Sequence, residues 1–329
     1  MSNLKINKFF LFFFSVLYGC VFSFLPNVFF RDRGSYLVYA RDSGAIFDRY
    51  YDNGIVVLLS NEPLFLKINH LLSSIFPYEY IPHILVFFSC SIIFYFAMKE
   101  CDNFLSKFLM LCLMLFTPVF FHLQNVVIRQ ALCSAILLMI CSVFPDRKKW
   151  WGVSVFLGFI HSSFFLVAVF LFFNDLLHRY KASLLIRVSI FVVVSIVISL
   201  SVIMIGEYFG VRQVSEDHIK NSAGVSGLAF LMWLSVFIVI YLRPKEFINN
   251  YHLNEIAIIG LVVYLSMYFL SPVAGRLLIT FSPFIFICLV KRLSYLDAVF
   301  VFIFLFVNAS IFRDSISKDS LLFVIPEFF

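Results

Sequence analysis

Apolar runs of roughly 17–22 residues recur along this chain from Phe9 to Phe312, each long enough to cross a hydrocarbon layer of ~30 Å. Of the 329 residues, 62% are hydrophobic and only 13% are charged, far too apolar for a soluble globular domain. The expected fold is all-α and polytopic: one integral membrane domain over 1–329, with about 10–12 transmembrane or half-spanning helices. The net charge of +6 is no nucleic-acid signal, because the basic residues sit in short clusters between apolar runs, as topology determinants do. The seven cysteines lie mostly inside apolar runs without zinc or redox spacing, so they read as small buried hydrophobes.

Spans are expected near 9–30, 81–98, 104–121, 125–144, 150–173, 185–205, 226–242, 254–270, 276–290 and 295–312. The apolar stretch Pro63–Phe76 is too short to span, and Lys67, His70 and Ser74 share one of its faces. It is expected to be an interfacial or re-entrant helix. Lys5 and Lys8 assign the N-terminus to the cytoplasm, and Arg147-Lys148-Lys149 mark a second cytoplasmic turn. Residues 31–80 then form an outer loop, and Arg129 lies near the outer face. Beyond Arg147 two paths are open: one straight span over 150–173, or a turn back near His161-Ser162-Ser163. The turn back is preferred, because it brings His161, the 206–225 loop and Arg276 to the side of Arg129. The short half-helices it needs are tolerated where they line a polar cavity.

Arg129 is the most informative single residue. It stands inside the apolar run Val126-Val127-Ile128-Arg129-Gln130-Ala131-Leu132, and a guanidinium cannot shed its charge near neutral pH. It therefore requires a polar cavity and an anionic partner. His122, Asn125 and Arg129 fall at the spacing of one helical face, with Gln130 alongside. The stripe reads either as a structural ion pair of Arg129 with Glu62 or Asp32, or as an anion site. Glu62 precedes Pro63 at a helix start, where it caps the helix, partners Arg129 or acts as a base. Four arginines (31, 33, 41, 49) and four aspartates (32, 42, 48, 52) crowd the first outer segment. That segment is a solvated loop closed by its own ion pairs, or a rim on which Tyr36 and Tyr39 stack against sugars. His161 is a hydrogen-bonded membrane histidine or a functional one, with Ser162 and Ser163 adding donors at its turn. The 206–225 loop reads as a lid, and Arg276 as an interface arginine or a second phosphate ligand.

Several signatures are absent. There is no Asp-x-Asp, P-loop, dinucleotide fingerprint, His-Glu-x-x-His or Gly-x-Ser-x-Gly, so no metal site and no cofactor is expected.

The motifs have a recognisable order: Arg31-Asp32-Arg33-Gly34-Ser35-Tyr36 with Tyr39, then Asn61-Glu62-Pro63-Leu64-Phe65, Ile128-Arg129-Gln130-Ala131-Leu132, a basic turn, and Phe159-Ile160-His161-Ser162-Ser163-Phe164. This order resembles the EpsG family of bacterial polysaccharide proteins, grouped with the O-antigen polymerases (Wzy). The resemblance runs from about residue 30 to 175, and more loosely to Arg276. It implies a metal-independent, multi-span glycosyltransferase in a bacterial cytoplasmic (inner) membrane, with its active face extracytoplasmic. Donor and acceptor would be undecaprenyl-pyrophosphate-linked glycans, with membrane lipids and a chain-length regulator as further partners. Arg129 and Arg276 would hold the pyrophosphate, supported by Gln130, Asn125, His122, Tyr36 and Tyr39. Glu62 or Asp32 would take the acceptor proton, and His161 would act as general acid or donate a hydrogen bond to the pyrophosphate. An O-antigen ligase, a membrane acyltransferase and a lipid-linked glycan flippase are the competing classes. A flippase would show an internal repeat, and none is found.

Overall fold

The computed structural model describes residues 8–144, 146–209, 227–243, 252–271 and 273–316; the side chains of 202–209 are excepted. The described residues form fifteen α-helices and no strand. Four helices are long and apolar enough to cross a membrane alone: α5 (Ile81–Glu100), α11 (Leu184–Phe209), α14 (Val273–Lys291) and α15 (Tyr295–Ile316). The chain is a multi-pass, all-α membrane protein.

Two expected spans are broken where proline dictates. The run 9–30 is helical as α1 (Lys8–Ser23) and stops ahead of Pro26, which fixes its own φ and disfavours a helical residue before it. The run 104–121 is two helices, α6 (Phe104–Phe116) and α7 (Pro118–Asn125), bent by 70° at an extended Thr117. A second break follows at Val126-Val127 before α8 (Ile128–Val143). Asn125 and Arg129 therefore stand on different helices, and the single polar face expected for His122, Asn125 and Arg129 does not exist. Residues 31–80 are not a loop. They fold as α2 (Arg33–Asp52), α3 (Ile55–Ser60) and α4 (Pro63–Ser73), with a 3-10 turn at Tyr78–Tyr80 and another just ahead at Asn27–Phe29. The α4 helix is too short to span and buries Phe65, Leu66 and Asn69 while it exposes Lys67 and His70. Lys5, Lys245 and positions 210–225 of the expected lid lie outside the described residues.

The expected turn at His161 is present. Helices α9 (Arg147–Gly158) and α10 (Ser163–Arg179) pack as an antiparallel hairpin: Gly158 lies on the Phe165 ring near the tip, and seven residues further down each arm Trp151 meets Phe172 at 5.5 Å. A Cβ on Gly158 would come within 2.5 Å of the Phe165 ring, so this approach requires glycine. Helices α13 (His252–Met267) and α14 form a second hairpin, with Gly260 against Phe281. Helix α12 (Gly227–Tyr241) packs beside it through Trp233 and Tyr264.

The hairpins sort the charges. Lys291 pairs with Glu100 at 3.1 Å, Arg243 donates to the carbonyls of Cys288 and Leu289, and His252 meets the Cys141 carbonyl at 2.7 Å. At that same end Glu255 gathers the base of the α9–α10 hairpin. Arg147 grips it with two bonds of 3.0 Å, and Asn174 donates at 3.2 Å. His178 lies 2.6 Å and Arg187 3.5 Å from the same carboxylate. Sequence reading missed this hub, although a lone acid at the head of an apolar run signals a demand for partners. Arg129, Glu62, His161 and the start of α14 lie at the opposite end.

Removing one side of a buried ion cluster leaves uncompensated charge and costs about 3–5 kcal/mol. Glu255→Gln should therefore lower the thermal midpoint of the detergent-solubilised protein strongly. Asp42→Asn, which breaks the exposed 2.9 Å Arg41–Asp42 pair, should barely move it. Equal shifts in the two variants would show that the hub does not hold the hairpin.

Candidate functional site

The site is assembled where helices begin and end. Glu62 precedes Pro63, the first residue of α4, and adopts a left-handed backbone with φ 56° and ψ 53°. A Cβ in that region costs roughly 1–2 kcal/mol. The conformation persists because its surroundings fix it. The amide of Leu64, one of the first-turn donors without a helical partner, donates to the Phe159 carbonyl at 3.1 Å. This bond ties the start of α4 to the turn that carries His161.

The Glu62 carboxylate serves three partners. Arg129 Nη1 donates to Oε2 in an ion pair. His161 Nδ1 and the backbone N–H of Ser162 both reach Oε1 at 3.1 Å. Burial pushes the Glu62 carboxyl up, but the His161 hydrogen bond and the Arg129 charge outweigh it, so it stands below the usual carboxylate range. A carboxylate so occupied is a weak base. Because Nδ1 donates to Glu62, the neutral imidazole of His161 has Nε2 as its acceptor nitrogen.

Aromatic rings surround Arg129. Its guanidinium carbon lies 5.6 Å from the Tyr36 ring centre, 5.2 Å from Tyr39 and 5.5 Å from Phe65. Tyr36 and Tyr39 come from α2, and Phe65 sits edge-on to both at 6.1 and 5.9 Å. The negative ring faces add to the attraction of Glu62 for the cation. The Arg129 side chain keeps 26% exposure, so the cage does not seal it.

The other expected residues fall into place around this centre. Gln130 donates to the Arg276 carbonyl and to Thr280 Oγ1 at 2.5 Å, and so ties α8 to α14. Arg276 thus reaches the neighbourhood through its backbone, and its side chain is exposed. Asn125 is fully buried, and its amide donates back to the Phe121 carbonyl at 3.2 Å. Asp32 is exposed, makes no ion pair among the described residues, and lies within electrostatic reach of His122 and Tyr36. The structure therefore unites Glu62, Arg129, His161, Tyr36 and Tyr39. It places Asp32 and His122 at the edge, gives the Asn125 side chain to a carbonyl of its own helix, and gives that of Gln130 to the α8–α14 tie. Ser162 supplies the donor expected at the His161 turn through its backbone amide, whereas Phe65 was missed. Phe65 could have been found by helical phase, since it stands one turn beyond Glu62.

The EpsG family model matches residues 9–324, nearly the whole chain. The chain belongs to the EpsG family. This is a family of Wzy-like polysaccharide polymerases, so membership supports a polysaccharide polymerase role. No curated protein and no solved structure matches the chain. Among the described residues, no cluster of His, Cys, Asp and Glu could hold a metal ion.

The left-handed Glu62 yields a clean test. Glu62→Gly and Glu62→Ala both delete the carboxylate, but only alanine keeps the Cβ that opposes this backbone. The glycine variant should be the more stable by about 1 kcal/mol in denaturant unfolding of the solubilised protein. An alanine variant of equal stability would mean that residue 62 is not held left-handed.

Proposed function

We propose that this EpsG-family protein polymerises lipid-linked oligosaccharide repeat units, with undecaprenyl pyrophosphate as the donor's leaving group. The observation that carries the reading is the caged, partly exposed Arg129 beside the Glu62–His161 pair. Glu62 engages the guanidinium through Nη1, and the rest of its planar fork suits two phosphate oxygens. On this reading Arg129 stabilises the charge that develops on the pyrophosphate as the glycosidic carbon–oxygen bond breaks. A hydroxyl of the acceptor glycan forms the new bond to the same sugar carbon and gives its proton to His161 Nε2. Glu62 orients the imidazole and stabilises the imidazolium, the role of a carboxylate behind a catalytic histidine. This shifts the base from Glu62, whose oxygens are occupied, to His161. Arg276 and Asp32 line the approach, where an exposed guanidinium suits a second phosphate contact and an exposed carboxylate suits sugar hydroxyls.

Charge placement supports an extracytoplasmic site in the bacterial inner membrane. Lys8, Lys99, Lys107, Arg147, Lys148, Lys149, Arg179, Lys181, Arg187, Arg243, Lys291 and Arg292 fall at the Glu255 end of the helices. By the positive-inside rule that end faces the cytoplasm. Single cysteines in a cysteine-free background test this. In intact cells an impermeant maleimide should label position 74, after α4, and reach position 148 only after permeabilisation. The reverse pattern would put the site inside.

Activity is tested with purified protein and a synthetic undecaprenyl-pyrophosphate glycan. Arg129→Lys keeps the charge but loses the fork, and a transition-state loss of ~3 kcal/mol is about a hundredfold in rate. Polymerisation at the wild-type rate would remove Arg129 from the chemistry. His161→Gln should lower turnover and leave donor binding nearly unchanged. If turnover survives, the base is Asp32, and Asp32→Asn should abolish it.

A further inference from the structure

Arg33 is fully buried, yet no carboxylate pairs with it among the described residues. Its contacts are neutral. Nε donates to the Asn125 carbonyl at 2.8 Å, Nη1 donates to Asn27 Oδ1 at 2.9 Å, and the guanidinium lies 4.8 Å from the Phe30 ring centre. Asn27 is held in turn by His83 at 2.9 Å, and His83 by the Ser23 carbonyl. A buried charge with neutral partners is a costly arrangement. What it accomplishes is visible in the element it touches.

Asn125 ends α7, and the break at Val126-Val127 deprives the last α7 carbonyls of helical donors. In an apolar bundle no solvent replaces those donors. Cys90 Sγ approaches the Gln124 carbonyl at 3.9 Å, while Tyr18 donates to the Gln124 side chain at 3.0 Å. Arg33 takes the Asn125 carbonyl, the negative end of the α7 dipole, where a cation is favoured. Three residues further on, α8 has begun and carries Arg129. Arg33 is also the first residue of α2, whose next turns present Tyr36 and Tyr39 to Arg129. One guanidinium thus ties the segment that leads into Arg129 to the helix that supplies two rings of its cage.

We propose that Arg33 is a positioning residue: by capping α7 at the Asn125 carbonyl while anchored to Asn27, it sets the register between the α7–α8 break and α2, and so the place of Arg129 among Tyr36, Tyr39 and Glu62. Its catalytic consequence rests on the reading of Arg129 as the pyrophosphate ligand. Its structural consequence does not. Lysine at position 33 keeps the charge but cannot hold the carbonyl and the Asn27 amide with one planar fork.

The test is a double-mutant cycle read in two ways. In turnover, Arg33→Lys should lower the polymerisation rate about tenfold, while Arg33→Lys added to Arg129→Lys should lower it no further. In thermal unfolding, Arg33→Lys and Arg129→Lys should likewise combine to less than the sum of their separate shifts. Asn27→Ala removes the second anchor alone and should show the same non-additivity with a smaller single effect. Additive effects in both readouts, or an Arg33→Lys variant equal to wild type in both, would overturn the proposal. So would failure of both the Arg33→Lys and Asn27→Ala proteins to fold, since Arg33 would then be required by the fold at large. An Arg129→Lys variant that polymerises normally would count against the pyrophosphate reading, and the thermal cycle would still decide the role of Arg33.

Discussion

A guanidinium cannot discharge itself inside an apolar bundle, and the architecture around Arg129 follows from that constraint. The charge needs a carboxylate, and Glu62 supplies it from a different part of the chain. The carboxylate then needs its remaining lone pairs filled, and His161 and the Ser162 amide come from the tip of the α9–α10 hairpin. The cation needs a favourable wall, and two rings from α2 and one from α4 provide it. Four segments distant in sequence meet because one charge must be satisfied. Each contributes at a point where a helix starts or a turn exposes backbone donors. On the proposed reading the resting pair also sets the terms of substrate binding. A pyrophosphate competes with Glu62 for Arg129, so the fork must serve both or exchange one for the other.

How far the sequence disclosed this depended on the physical scale of each signal. Composition and run length made the all-α membrane class legible, because hydrocarbon thickness is a fixed ruler. The short helix after Glu62 and the turn at His161 were also legible: one is too short to span, and the other holds polar residues between apolar flanks. Helix breaks were read less well. Thr117-Pro118 lies within a run apolar enough to look continuous, and nothing in Val126-Val127 announces a break. At Val126-Val127 the backbone leaves the helix because side chains from α2 and α5 reach the freed carbonyls of Asn125 and Gln124. That is tertiary information, and no local propensity contains it. For the same reason the stripe His122, Asn125 and Arg129 pointed to the right neighbourhood by a geometry the chain does not have. The helical nature of 31–80 was hidden by its charge density, which suggested a solvated loop. Arg33, Tyr36, Ala40 and Ser43 are nonetheless buried at helical spacing along α2.

Two carboxylates organise opposite ends of the molecule, and comparing them separates stability from chemistry. Glu255 and Glu62 each bind an arginine, a histidine and an additional N–H donor, and both draw partners from the same α9–α10 hairpin. Charge alone would not tell which is a site. The backbone does. Glu255, Asn174, His178 and Arg187 all sit within regular helices, where side chains reach one another without distortion. Arg147 spends both Nε and Nη2 on the carboxylate. Such an arrangement clamps the hairpin base and leaves little of the arginine fork for a ligand. At the other end Glu62 is left-handed, Arg129 follows a broken helix, and His161 occupies a turn between two half-helices. Strained and interrupted backbone in a membrane bundle persists where surrounding contacts over-determine it and where it lines a polar space. The hub at Glu255 therefore reads as the fixed foot of the hairpin. On the proposed reading, that fixed foot lets the tip hold His161 against Glu62 with the definition that proton transfer requires.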